Sequence, residues 1–285
     1  MILIALLFLS QDLPSLSAEG AAAMRAERYA DAARVYRALT GQDPKNPMWR
    51  FNLGMAHFYA GAPAEAATAL ATFLRARPQP GPAHLFLGLS RLKLQQPCQA
   101  IEPLEMALRW PQHPPSGWTE LADAYQGCTR WEPAAKAYAE AAKLNPQDRR
   151  LLRQSAHCWR MARRYELAKP VFASLVASLE SSYAENADFW FEYGDTLMRL
   201  DGAASGLPWL ERAVAAKPSF ALAQSALGRA LKELDRPADA LPHLEAAATE
   251  DPALLLPLSR AYRALDRPAD AAKAEAEYKA KIGTP

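Results

Sequence analysis

The sequence predicts an all-α protein, folded as a solenoid of about eight helix–turn–helix units. Three observations carry this. First, 60 of the 285 residues are alanine and only 13 are glycine. Alanine is the strongest helix former and fills little volume, which suits closely packed helices. Second, a pattern of small, large and proline residues recurs with a period of 34, as in Gly54, Gly88 and Ala122. Third, proline punctuates that pattern at two fixed places. Sparse β-branched residues and few glycine turn pairs argue against an all-β fold. Seven Trp, ten Tyr and nine Phe argue against disorder. The balance of 33 basic to 31 acidic residues, net +2, provides no basic field, so nucleic acid is not an expected partner.

The chain opens on an apolar run, Met1 to Leu9. It is too short to span a bilayer, which needs about 20 residues. It matches the apolar core of a secretory signal, and Ser15-Leu16-Ser17 suits cleavage after Ser17, with Ala18 a second candidate. Residues 1–17 are therefore expected to be a signal peptide and 18–285 the mature solenoid. No basic residue precedes the run, the first being Arg25, so a buried first helix is the other reading. No cysteine lies near a cleavage point for lipid attachment, and no later segment is long and apolar enough to cross a membrane.

The units follow in order. The first, near 13–46, holds Gly20, Ala32, Tyr36 and Pro44. The second, 47–80, holds Leu53, Gly54, Ala66, Leu70 and Pro78, and the third, 81–114, holds Leu87, Gly88, Ala100 and Leu104. The fourth, 115–148, is the clearest copy, with Trp118, Leu121, Ala122, Tyr125, Ala134, Tyr138, Ala141 and Pro146 at positions 4, 7, 8, 11, 20, 24, 27 and 32. The fifth, 149–182, keeps Trp159, Ala168 and Phe172, and four extra residues follow it. The sixth, 187–220, holds Trp190, Gly194, Leu210, Ala213 and Pro218. The seventh, 221–251, holds Leu227, Gly228, Ala240, Leu244 and Ala247. The eighth, 252–285, is placed by the recurrence of Asp235–Ala240 as Asp266–Ala271, 31 residues on.

This pattern resembles the tetratricopeptide repeat, and the fourth unit matches all eight signature positions. The resemblance implies antiparallel helix pairs stacked into a right-handed superhelix. Small residues at positions 8 and 20 let the two helices approach, and large ones at 4, 7, 11 and 24 fill the space between them. Proline at position 17 (Pro63, Pro97, Pro237, Pro268) suits the first turn of the second helix, where no N–H is needed. One unit cannot bury its apolar face alone, so neighbours stabilise each other. Ala272 to Lys281 is charged throughout, as a solvent-facing cap requires.

No catalytic constellation can be assembled. His57, His84, His113, His157 and His243 are scattered, and metal-binding and phosphate-cradling motifs are absent. Trp118 and Trp190 fall on packing positions. The chain is expected to be non-enzymatic, with no cofactor and no metal. In a reducing compartment the three cysteines would be free, buried small hydrophobes. In an exported protein, Cys98 at the start of one second helix and Cys128 at the end of the next first helix sit at the same edge of adjacent units in this architecture. They form a candidate disulfide, leaving Cys158 unpaired.

The resemblance also implies a concave face lined by positions 2, 5, 9, 12 and 13 of each first helix. The second unit supplies Met48, Phe51, Met55, Phe58 and Tyr59, and the third Leu85, Leu89, Leu92 and Lys93. The fourth supplies Thr119, Asp123 and Gln126, and the fifth Arg153, His157, Arg160 and Met161. Phe191, Asp195, Met198 and Arg199 come from the sixth, and Arg229, Lys232, Arg260 and Arg263 from the last two. The face is expected to grade from apolar and methionine-rich to basic. The first end suits adaptable peptide contacts, and the second suits a carboxylate or acidic segment. Carboxylate-clamp members of the family use a Lys and Asn set that is missing here, so chaperone-tail binding is not implied. The expected function is an exported adaptor that binds a protein or peptide segment. The alternative is a module for an anionic polymer or polysaccharide, accessory to an envelope enzyme or secretion complex.

Overall fold

The computed structural model describes residues 12–112, 114–177 and 186–283. Among the described residues there are sixteen α-helices, one 3-10 turn at Pro252–Leu254 and no strand. They pair as hairpins: α1 (Leu13–Arg25) with α2 (Tyr29–Gln42), α3 (Pro47–Tyr59) with α4 (Pro63–Ala76), α5 (Gly81–Lys93) with α6 (Pro97–Leu108), and α7 (Gly117–Gly127) with α8 (Trp131–Leu144). Then follow α9 (Arg149–Met161) with α10 (Tyr165–Ala177), α11 (Ala187–Asp201) with α12 (Ala203–Ala216), α13 (Ala221–Glu233) with α14 (Pro237–Glu250), and α15 (Leu255–Ala264) with α16 (Pro268–Lys281). The chain divides into two compact units, one ending at Leu151 and one beginning at Leu152. In the first, each helix from α1 to α8 packs on the next. In the second, the same holds from α10 to α16.

Close approach within each hairpin rests on small residues. Position 20 is Ala32, Ala66, Ala100, Ala134, Ala168, Ala240 or Ala271 in seven hairpins, none more than 1% exposed. The eighth has Gly206, where an added Cβ would lie 2.5 Å from the Gly194 carbonyl oxygen. Position 8 lies under the large residue of position 24. A Cβ on Gly54 would stand 2.6 Å from Leu70 Cγ, and one on Gly88 2.5 Å from Leu104 Cγ. Gly88→Ala therefore sets a helix-propensity gain of about 1 kcal/mol against an overpacking cost of about 1–3 kcal/mol. The expected result is a net loss of stability in urea titration. Gly41→Ala, with nothing within 4 Å of the new Cβ, should stabilise.

The turns show a device that the sequence pattern does not advertise. Glu27, Gln95, Thr129, Arg163, Asp235 and Asp266 take φ between 55° and 59°, and Gly61 takes 76°. Each stands between the two helices of a hairpin. Gln95 N–H donates to Leu92 O and Gln96 N–H to Arg91 O, both at 2.9 Å, closing a Schellman motif. The left-handed position usually favours glycine, but six hairpins place other residues there. Immediately after the turn, Pro63, Pro97, Pro237 and Pro268 begin their helices.

The ends differ from the middle. The predicted leader run Met1–Leu9 lies outside the described residues. The segment just after it forms the start of α1, capped by the Asp12 carboxylate, which accepts from Ser15 N–H at 3.2 Å. Leu16, 6% exposed, joins a core with Ala23, Val35, Tyr36 and Leu39, so cleavage after Ser17 would remove one of its members. At the other end, position 24 is Glu275, where the other hairpins carry Leu, Tyr or Phe. It is half-buried and pairs at 2.6 Å with the exposed Arg263.

Two histidines are withdrawn from solvent, His57 at packing position 11 and the half-buried His243 on α14. His57 is 8% exposed. Burial first, then the Arg37 guanidinium, hold its pKa below the ordinary 6.5, with Glu65 opposing. Burial likewise lowers His243, opposed by Glu211 and Asp239. The unfolded chain then binds protons that the folded chain refuses, so stability falls as pH drops from the unfolded histidine value toward the lowered folded value. The melting temperature should fall between about pH 7.5 and pH 5.5, and fall less in His57→Gln. Equal slopes for the two proteins would remove His57 from the account.

Candidate partner-binding faces

In the first compact unit, α3 and α5 pack side by side as first helices of adjacent hairpins. Met48, Phe51, Met55 and Phe58 recur at helical spacing on α3, and Leu85, Leu89 and Leu92 on α5. Met48 and Tyr59 are each 46% exposed, and Phe51, Met55, Phe58, Leu85 and Leu89 are half-buried. The aromatic rings touch in series. Tyr29 stacks on Tyr59 at 5.2 Å, and Phe58 meets Tyr59 at 5.5 Å and Phe86 at 5.0 Å, both edge-on. Lys93 Nζ lies 5.0 Å above the Phe58 ring. Phe51 leans on the buried Phe73 at 5.3 Å, which anchors the cluster in the core. The result is an apolar, partly solvent-facing surface on rigid helices. Phe86, at position 6, was not among the residues carried over from the family pattern. Its helical neighbours at positions 5 and 9 were the available signal.

Between this surface and the basic end, α7 is polar, as expected from Asp123 and Gln126. The Tyr138 hydroxyl of α8 is hydrogen-bonded with both side chains.

In the second compact unit part of the expected basic row is paired with acids. Asp195 on α11 is 2% exposed. Its carboxylate meets Arg199 Nε at 3.0 Å, Arg160 at 3.3 Å and Arg229 at 3.8 Å. Glu192, one turn earlier, lies 2.6 Å from His157 Nδ1 and 3.9 Å from Arg160. Arg160 also covers the Phe191 ring at 5.7 Å. Phe191 is 9% exposed and packs edge-on against Phe220 at 5.2 Å, so it belongs to the core more than to an accessible face. Arg263 is held by Glu275. Arg153, Lys232 and Arg260 have no acidic partner within 4.0 Å among the described residues, and Lys232 and Arg260 are exposed. Glu192, at position 6, is the residue that family positions alone overlooked. Trp190 is 3% exposed and stacked on Trp209 at 5.4 Å, a packing role.

Cys98, at the start of α6, and Cys128, at the end of α7, are joined in a disulfide with a Cα–Cα distance of 5.1 Å. Gly127 permits the approach, since a Cβ there would stand 2.9 Å from Pro97 Cβ. Cys158 lies outside the disulfide and is buried. No group of three or more His, Cys, Asp or Glu side chains is placed to hold a metal ion among the described residues. No helix among them is long and apolar enough to cross a membrane.

The family model described as tetratricopeptide repeat matches residues 17–79 and, overlapping, 53–115. Among solved structures, the chain is similar to one in Naa15/Naa10 bound to HypK-THB, with TM-score 0.64 and 16% identity over 95% of this chain. This chain spans only 42% of that one's length. It is also similar to PilF of Pseudomonas aeruginosa, with TM-score 0.54 and 19% identity over 72% of this chain and 93% of that one. MamA of Desulfovibrio magneticus RS-1 gives TM-score 0.52 and 17% identity over 61% of this chain and 96% of that one. At these identities the likeness is one of fold. No curated protein matches the sequence.

Proposed function

Because residues 17–115 match the tetratricopeptide-repeat family model and the described chain is built of such hairpins, we propose that it is a non-enzymatic, exported scaffold holding a segment of a partner protein on its α3–α5 face. The observation that carries this reading is the ring-to-ring cluster of Phe58, Tyr59 and Phe86, with the half-buried Met55 one turn earlier on α3. Apolar side chains prearranged on rigid helices recognise a helical or extended segment at low conformational cost. Methionines next to aromatics let the surface adapt. Export is supported by the apolar Met1–Leu9 run and by the Cys98–Cys128 disulfide, since such bonds persist in oxidising compartments.

Crosslinking pull-down from the native envelope fraction tests it. Alanine at Phe51, Phe58 and Tyr59 should cut partner capture by more than about tenfold, as loss of an interface centre does. The helical circular-dichroism signal should persist. Unchanged capture, or an unfolded variant, counts against this face. Capture through the apolar surface should also resist salt. Binding of an anionic polymer along the arginine row would fall steeply with it. That alternative has fewer free cations than the sequence suggests, because Arg160, Arg229 and Arg263 are already paired with acids.

A further inference from the structure

The other side of α3 holds a feature unrelated to the aromatic face. In the fourth hairpin, positions 4 and 11 are Trp118 and Tyr125, large side chains that fill the junction between hairpins. In the second hairpin the same positions are Arg50 and His57. Beside them an open cleft of about 490 Å³ lies between α2, α3 and α4. A cleft of this size falls within the usual range for small-molecule sites.

Its lining is chemically divided. Arg37 from α2 and Arg50 from α3 both contribute to the lining. Arg50 donates to the Pro44 carbonyl at 2.7 Å, which steadies its guanidinium. Arg37 lies 3.4 Å from His57 Nε2. An arginine only donates, so Nε2 is the acceptor and the neutral ring carries its hydrogen on Nδ1. No carboxylate lies within 4.0 Å of either guanidinium among the described residues, in contrast to the arginines around Asp195. The remaining wall is mixed, with apolar stretches between threonines, and Thr72 Oγ1 accepts from Arg75 at 2.9 Å. The hydroxyls of Thr40, Thr68 and Thr72 donate to the backbone carbonyls of Tyr36, Ala64 and Thr68 at 2.8–2.9 Å. They are thereby occupied as donors, and Leu53, Ala64 and Ala69 complete the wall. Glu65 is the single acid in the lining.

We propose that this cleft binds a small organic carboxylate, its head group held by Arg37 and Arg50 and its short aliphatic body lying along the threonine and alanine wall. Guanidinium groups grip carboxylates through charge-assisted, often bidentate hydrogen bonds. Apolar stretches in the wall favour an organic anion over a bare inorganic one. The site lies within the first compact unit and is independent of partner capture on the α3–α5 face.

Isothermal titration of the full chain with hexanoate, glutarate and inorganic phosphate at low salt tests this. Saturable binding of hexanoate or glutarate, stronger than phosphate, is expected. Arg37→Gln with Arg50→Gln should weaken it by about tenfold or more, the loss expected for charged hydrogen bonds. Thr68→Leu, on the exposed face of α4, should block the cleft and abolish binding without changing the melting temperature by more than a few degrees. No saturable binding of either carboxylate overturns the proposal. So does binding of phosphate alone, or carboxylate affinity unchanged in either variant.

Discussion

Replacing Asp195 by alanine should cost the second compact unit about 3–5 kcal/mol, the usual penalty for removing one partner of a buried charge cluster. Asp195 is the acceptor shared by Arg160, Arg199 and Arg229, and it is 2% exposed. Arg160 is itself poorly hydrated, with side-chain exposure of 16% and a buried Nε that has no hydrogen-bond partner among the described residues. Without Asp195 it would keep only Glu192, at 3.9 Å. The loss should be local, because repeat arrays are stabilised by neighbours. Hydrogen exchange in α9, α11 and α13 is therefore the measurement, together with urea titration. Removing the arginine as well separates charge from packing. Asp195→Leu with Arg160→Met should recover most of the stability, since hydrophobic replacements of buried ion pairs are often neutral or better. A loss below about 1 kcal/mol in Asp195→Ala would mean that these groups behave as exposed surface pairs.

Reduction of the Cys98–Cys128 bond should be the second large effect. The bond joins residues 30 apart, and closing a loop of that length in the unfolded chain contributes about 3–4 kcal/mol. Both cysteines sit at helix ends, where the chain approaches closely whether or not the sulfurs are joined. Cys98→Ser with Cys128→Ser should therefore retain its helices and melt lower. A reductant should lower the melting point of the wild type and leave that of the double variant unchanged. Alkylation of the native, unreduced protein should spare all three cysteines, two because they are bonded and Cys158 because it is buried. Labelling of all three in the unfolded, unreduced protein would overturn the pairing.

The helical hairpins were legible because their determinants are local or recur at a fixed spacing. Alanine at position 20, glycine under leucine at position 8 and proline at position 17 each state a steric demand that any one copy reveals. The disulfide edge could be inferred by the same route, since the hairpin geometry alone brings Cys98 and Cys128 near each other. The left-handed turn was hidden, because Gln95, Thr129 and Arg163 stand where glycine would have announced it. The candidate faces were legible only in part. Helical spacing collected Met48, Phe51, Met55 and Phe58 onto one surface, but left out Phe86, which the packing of α5 on α3 brings to it.

The basic row shows the limit most clearly. Arg160, Arg229 and Arg263 count as cations in any sequence reading. Yet Asp195 lies 35 residues from Arg160 in the chain, and only the stacking of α11 beside α9 and α13 places that carboxylate among the guanidiniums. The cleft lined by Arg37 and Arg50 is the converse case: α4 contributes threonines, alanines and Glu65 to its lining, yet no described carboxylate lies within 4.0 Å of either guanidinium. Repeat periodicity thus determined which helices form, where they turn and which positions pack, because close contact within a hairpin depends on side-chain size at fixed spacing. The tertiary structure decided which charges are neutralised and which remain open, because electrostatic partners are set by distance in space across neighbouring helices.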